Sequence, residues 1–427
     1  MSYNILDYGA VADGKTLATK AIQCAIDECN KNGGGRVLIP AGSFYSGSIF
    51  LKDNVELHLE HGALLTASAN MDDYNADDAY FQNYGFAPEQ WRAKHLIMAV
   101  ECKNVAITGS GVIDGNGDYF RAEPVINPNG SGYGWRYGMA FVKDEKVMRP
   151  GQLICFIESS EIFVDGITVR NAPCWCIFLH GCKYVRISRI NIFNGKTALN
   201  TDGIDVDCSS FVTISDCNIE TGDDAITFRC SAKRLKTPKV CEYVTVTNCN
   251  LAASACAFRI GVGIGRIRHI RVSNITVSRA GSGIFFMTAY NGAGEAFIED
   301  VNFENISIND VGWPIKFEGS NGGIKNVTLD NIRVCDALGG ARIIPEAERI
   351  FSDITLRNVD FFFAKDDREL LPHQLEKRGA HMFFAQNVDS LVLDNVRIFA
   401  DDEVASAWTS KFKTENCDNL IVKNCKY

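Results

Sequence analysis

A phrase that returns along the chain constrains its fold more than any other feature. Two apolar alternations lead to a polar residue, then an Asn, then a second, β-branched alternation. It reads Val185-Arg-Ile-Ser-Arg-Ile190-Asn-Ile192 and Val212-Thr-Ile-Ser-Asp-Cys217-Asn-Ile219. It returns as Val244-Thr-Val-Thr-Asn-Cys249-Asn-Leu251 and Ile270-Arg-Val-Ser-Asn-Ile275-Thr-Val277, and later copies centre on Asn305, Asn331, Asn358, Asn395 and Asn424. The interval, roughly 23 to 37 residues, lies in the range of solenoid repeats. Each copy alternates with period two, so each is a strand with one buried face. A single strand cannot bury that face alone; rungs stacked along an axis can. The phrase therefore predicts an all-β solenoid, a parallel β-helix.

Two columns of that stack can be read directly. Side-chain amides at the Asn positions of consecutive turns can hydrogen-bond up the stack and satisfy a tight bend. Cys217 and Cys249 fall in the slot held elsewhere by Ile275, Ile306, Ile332, Val359 and Val396, with Cys425 closing the series. They read as small hydrophobes in an interior column. The C-x-C pair Cys174 and Cys176 lacks a second pair and suggests no metal. A length of 427 residues would ordinarily divide into two or three domains. Stacked repeats need no separate cores, so residues 1–427 are expected to form one domain. Asp13 to Thr16 and Thr19 precede Ala21-Ile-Gln-Cys-Ala-Ile26, which reads as a capped amphipathic helix. Within an N-terminal cap of about 1–35, it would cover strand edges at the open end of the stack. The repeat breaks at about 71–149, rich in aromatics such as Tyr80, Tyr84, Trp91, Trp135 and Tyr137, and again at the charged stretch of about 365–379. Both read as loop insertions on a regular scaffold, where binding function concentrates.

A net charge of -9 argues against nucleic acid or an anionic membrane as the main partner. No run approaches the roughly 18 apolar residues of a membrane span. The start, Met1-Ser-Tyr-Asn-Ile-Leu, has neither a basic region nor an apolar core of a secretory signal. Sixteen cysteines without a disulfide-framework spacing suit a reducing compartment, so a cytoplasmic location is expected.

Two consecutive rungs are dense in acids: Asn200-Thr-Asp-Gly-Ile-Asp205-Val-Asp207 and Gly222-Asp-Asp-Ala-Ile-Thr-Phe228. Matching Ile204 with Ile226 and Val206 with Phe228 sets Asp202 against Asp224 on rungs ~4.8 Å apart. Like charges so close raise at least one pKa. Glycoside hydrolysis uses such a pair, one carboxyl protonated toward the leaving oxygen and another ionised toward water or the sugar. Acids also gather at turns as Asx motifs or calcium ligands, and spacing alone leaves that alternative open.

The N-T-D-G-I-D and G-D-D segments resemble the catalytic motifs of the polygalacturonases, glycoside hydrolase family 28. The opening from Asp7-Tyr-Gly-Ala through Ala41-Gly and Leu57-His-Leu is similar to that family, as is Gly111-Val-Ile-Asp-Gly-Asn-Gly117. The resemblance covers nearly the whole chain. It implies a right-handed parallel β-helix and an inverting hydrolysis of O-glycosidic bonds without cofactor or metal. It implies Asp223 as general acid, Asp202 and Asp224 as the groups that hold and activate water, and Asp205 in support. A cytoplasmic setting would favour short oligosaccharides and exo-action. A β-helix lyase and a non-catalytic carbohydrate-binding β-helix are the competing readings. The lyase would need a base and usually calcium, which the acids suit less well.

Two family motifs are missing. Ala255 stands where the family's Gly-His-Gly has its histidine, and Phe285 and Met287 replace the Arg and Lys of its Arg-Ile-Lys. In the family those cations bind the carboxylate of a galacturonate unit, a charge-assisted contact that Phe cannot imitate. Ordinary endo-polygalacturonase activity is therefore not expected. Two arginines lie in the same columns on earlier rungs. Arg259 is set one rung before Phe285, over Thr227 and with no acid in its immediate column, which suits substrate binding. Arg229 is set two rungs before Met287, where Asp207 would pair with it or a substrate acid would bind. Trp175 resembles a cleft aromatic that stacks on a sugar, or else an end-of-strand core aromatic. His180 and His269 read as structural.

Overall fold

A computed structural model of the chain describes residues 1–125, 139–290, 294–347, 350–363 and 379–427. Two compact units emerge. The first holds Met1–Val125, Met139–Asp223 and Ala232–Lys239; the second holds Asp224–Ser231 and Val240–Tyr427.

In the first unit each rung contributes one strand to each of three parallel sheets. One sheet runs through β1 (Ile97–Val100), β2 (Ile154–Ile157), β3 (Ile177–His180) and β4 (Ile204–Asp207). The recurring phrase supplies the other two, and its apolar residues align in register. Val105, Ile162, Val185 and Val212 form one column, and Ile107, Val164, Ile187 and Ile214 another. All eight are buried. Burying such a side chain contributes roughly 1.5–3 kcal/mol, and the period of two gives every rung the same inward face.

In the second unit the lettering of the phrase becomes continuous strand. The strands that frame its outer face are β5 (Ile226–Ser231), β6 (Cys256–Met287), β7 (Val311–Gly319) and β8 (Ala341–Pro345). β6 is one long strand, turned by left-handed residues at His269 and Asn274, whose successive parts pair with β5, with Glu295–Ile308 and with β7. Cys249, Ile275, Ile306, Ile332, Val359 and Val396 align residue for residue, as the shared slot requires. Phenylalanines fill the interior behind the outer face, with Phe286 and Phe317 stacked at 4.3 Å between ring centroids.

The asparagine before that slot bends the chain. Asn248, Asn274, Asn305, Asn331, Asn358 and Asn395 all have φ between 51° and 56°, a left-handed conformation that Asn tolerates better than other side chains. Their amides form the expected ladder, Asn274 to Asn248, Asn305 to Asn274 and Asn331 to Asn305, the last at 2.7 Å. The ladder skips at Asn358, which donates to Asp330 instead, and resumes from Asn395 to Asn358. All 16 cysteines are free thiols. Cys217 and Cys249 are buried, and each Sγ donates to the carbonyl two residues back.

The N-terminal helix α1 spans Thr19–Lys31 and buries Ile22, Ala25, Ile26 and Cys29. Its capping differs from expectation: Ala18 is the N-cap and no side chain caps it. Asp13 lies too far upstream and instead accepts from the amides of Lys15 and Thr16, closing a turn of its own. The stretch of about 71–149 holds a full rung, β1 with Lys103–Gly109 and Val112–Asp114, so its irregular parts flank residues 97–114. Trp135, Tyr137 and nearly all of the charged stretch 365–379 lie outside the described residues. Among those described, no helix is long and apolar enough to cross a membrane.

Candidate active site

The first unit presents Asp202, Asp205, Asp207 and Asp223. In β4, Ile204 and Val206 point inward, which sends Asp205 and Asp207 to the opposite face. Register sets Asp205 beside Phe178 and Asp207 beside His180, and both acids are nevertheless buried. Asp202 ends the turn before β4 and is 5% exposed, whereas Asp223 is more open. The nearest carboxylate oxygens of Asp202 and Asp223 lie within 4.8 Å.

That turn is held from several sides. Asn200, at φ 51°, donates its amide to Asp223 Oδ2 at 3.2 Å. Thr201 Oγ1 donates to Ala198 O and accepts from the Gly222 amide, and Thr221 Oγ1 donates to Asp223 O. Gly222 is required by close approach, since a Cβ there would stand 2.1 Å from Ala198 O. Arg149 is buried beneath and donates to Glu89 O, Pro173 O, Leu199 O and the Asn200 side chain. It fixes the strand of chain that delivers Asp202. Its sequence context is irregular and offers no period from which this role could be read.

Trp175 is a core aromatic. It is 4% exposed and packs edge-on against Trp91 and Phe178, at 5.8 and 5.4 Å between centroids. Burial also pushes the Cys176 thiol up to about 12 and raises that of Cys174 further, which leaves both as unreactive thiols. His180 is buried against Phe178, and His269 pairs with Asp300 and stacks on Tyr243.

The second unit begins at Asp224, one peptide bond beyond Asp223. Asp224 is buried, and Oδ1 accepts from the Cys256 amide at 2.8 Å and from Arg259 Nη2 at 3.1 Å. Arg259 Nε donates to the other oxygen, completing a two-pronged ion pair. This corrects the expectation for Arg259. Its backbone does pair with Thr227, but the long side chain reaches diagonally to the carboxylate at the start of the strand. A buried carboxylate is tolerable as a charge only when it meets a cation or other donors, and the half-buried Arg259 supplies one. Arg229 lies on the same outer face of β5, beside a register shift, and is half-buried.

Phe285 and Met287 lie on the face of β6 opposite the inward Ile284 and Phe286. Arg259 lies 5.3 Å over the Phe285 ring, with Nη1 3.4 Å from Met287 Sδ. The next two rungs each hold a residue that the sequence reading missed. Lys316 pairs in register with Phe285, its ammonium 4.3 Å over that ring, and Arg342 pairs with Lys316 one rung on. Glu318, in register with Met287, accepts from Lys316 at 2.8 Å and from Arg342 at 3.1 Å. Both cations continue the column of Arg259 and Phe285 toward the C-terminus, so the rung register is the sequence signal that marks them.

Comparison with known proteins gives a consistent family. A family model described as "Glycosyl hydrolases family 28" matches residues 29–342. A probable polygalacturonase of Vitis vinifera is 27% identical over 335 residues, 75% of this chain and 63% of the relative. The chain thus spans under two thirds of that relative's length. An exopolygalacturonase of Zea mays is 24% identical, over 84% of this chain and 76% of its own. The solved family 28 exopolygalacturonase of Yersinia enterocolitica matches with a TM-score of 0.69 at 20% identity, covering all of this chain and 77% of that one. The likeness identifies the fold as a right-handed parallel β-helix.

Proposed function

The chain belongs to the glycosyl hydrolases of family 28, and on that basis we propose that it hydrolyses O-glycosidic bonds in pectin-related oligosaccharides, acting from a chain end. The observation that carries this reading is the set of motif carboxylates in their motif order. Asp202 and Asp223 are on turns of consecutive rungs that are hydrogen-bonded to each other, and Asp224 follows Asp223 directly. Exo-action is supported by the relatives that bear that name, from Zea mays and Yersinia enterocolitica.

The roles follow from the surroundings of each acid. Asp223 is the more open of the three, as a general acid facing a leaving oxygen must be. Asp224 meets donors from Arg259 and from the Cys256 amide, which suits an ionised, acceptor-only carboxylate. With Asp202 it serves as the water-activating side. Loss of the Arg and Lys at Phe285 and Met287 sets the chain apart from an ordinary endo-polygalacturonase.

A second reading has one observation in its favour. The nearest oxygens of Asp202 and Asp223 lie within 4.8 Å, a close approach that also suits the ~5–5.5 Å carboxyl separation of a retaining pair. Double displacement through Asp202 is therefore the alternative. Inversion is preferred because a third carboxylate follows Asp223 in the motif and can share the work of holding water.

Asp223→Asn tests the proposal with oligogalacturonides of defined length. Removing a general acid should lower kcat about 10²–10⁴-fold while leaving binding intact. Wild-type protein that binds these sugars yet releases no product would instead identify a binding module.

A further inference from the structure

Among the described residues, one column on the outer face of the second unit carries more cations than the acids paired with them. On successive rungs of β6, β7 and β8, the column through Arg259 and Phe285 continues into Lys316 and Arg342. Arg259 is matched by Asp224. Lys316 and Arg342 share one carboxylate, Glu318. Among the described residues, that leaves one cation's worth of charge on a partly enclosed surface, where Lys316 is only 13% exposed. Burial pulls the Lys316 ammonium below its ordinary value, with Glu318 acting the other way.

The aromatic surroundings are also particular. The Phe285 ring lies between Arg259 and Lys316, and Trp313 lies 5.4 Å from the Lys316 ammonium and 5.6 Å from the Arg342 guanidinium. A sugar acid needs a cation for its carboxylate and an aromatic edge or face for its ring. Both are present here, and both lie beyond the two positions where the family's own clamp is missing.

We propose that Lys316 and Arg342, with Trp313 and Phe285, form a subsite for the carboxylate of a uronate unit, displaced along the stack from the cleaved bond. Rungs ~4.8 Å apart set Lys316 on the third rung after that of Thr227, about 14 Å along the axis. The subsite therefore holds a sugar several units removed from the one being cut and acts on longer acidic substrates only. Glu318 is its internal competitor, since it occupies the same two cations that the substrate carboxylate approaches. This inference rests on the reading of the chain as a hydrolase of pectin-related oligosaccharides.

The test is a comparison of oligogalacturonides with their methyl esters, by turnover in the wild-type background and by calorimetric binding in an Asp223→Asn background. Lys316→Gln should raise KM and Kd for the longer acids about tenfold, as loss of one charge-assisted contact does, with kcat unchanged. The esters should bind both proteins alike, and Lys316→Arg should restore the acids. Glu318→Gln should tighten binding of the acids, a change that a purely structural role for Glu318 would not produce. The subsite is overturned if Lys316→Gln weakens acids and esters equally, if it lowers kcat alone, or if Glu318→Gln leaves affinity for the acids unchanged. Tight, charge-dependent binding without turnover would keep the subsite and remove the hydrolase reading instead.

Discussion

Replacing Gly222 by Ala perturbs the turn that carries Asp223 by an amount the structure specifies. The new Cβ would lie 2.1 Å from Ala198 O and 2.6 Å from Gly195 O. Carbon and oxygen that close cannot coexist, so the backbone of one side must retreat by about 1 Å. Neither side is free to move alone, because Thr201 Oγ1 holds the Gly222 amide and Asn200 holds Asp223 Oδ2. A displacement of ~1 Å in a reacting group costs on the order of 10²-fold in rate, equivalent to about 2.7 kcal/mol of barrier. Initial rates on a defined oligogalacturonide should show that loss in kcat, with circular dichroism and the thermal midpoint little changed. Gly195→Ala is the control. A Cβ there meets nothing within 4 Å, so its turnover should match the wild type. Should Gly222→Ala keep wild-type kcat, the claim that this turn aims Asp223 at the substrate is wrong.

Further expectations follow from other parts of the chain. His95 is buried and bonds Gln152 O and Asn83, and burial pulls its imidazole down to about 4. The unfolded chain binds a proton near pH 6.5 and the folded one does not until about pH 4, so stability is complete above 6.5 and falls by about 3 kcal/mol toward 4. In denaturant titrations across that range, His95→Gln should flatten the pH slope; an unchanged slope refutes the assignment. Phe285→Arg would insert a guanidinium between Arg259 and Lys316, where like charges ~5 Å apart repel by about 3 kcal/mol at an effective dielectric near 20. It should lower the denaturation midpoint rather than restore a uronate clamp, and a gain in oligogalacturonide turnover without that loss would contradict the described packing. Titration of denatured protein with a thiol reagent should find all 16 cysteines free; widespread disulfides would overturn their reading as interior hydrophobes.

Most of the fold was legible because a β-helix repeats its own physics. Period-two alternation and a left-handed Asn mark each rung, and the Cys249, Ile275, Ile306 column follows from those two rules alone. The acids were legible by the same register and by motif. What escaped was whatever leaves the column. Arg259 turns diagonally to Asp224, which a rung-by-rung count cannot foresee. Arg149 comes from irregular chain and acts through carbonyls, which carry no sequence signature. The sequence leaves the ring of Trp175 between cleft and core, and the neighbour Trp91 that encloses it comes from an earlier rung. The polar residues before the helix suggest a side-chain cap, but Asp13 closes its own turn and Ala18 takes the N-cap position.

The anomeric configuration of the first-formed product tests the central claim most directly. Proton NMR during the opening minutes of hydrolysis, before mutarotation, reports it without further assumptions. Asp223 as acid, with Asp202 and Asp224 activating water, predicts a product opposite in configuration to the cleaved bond. A product of retained configuration would contradict that assignment and make Asp202 a nucleophile, in keeping with its short distance from Asp223.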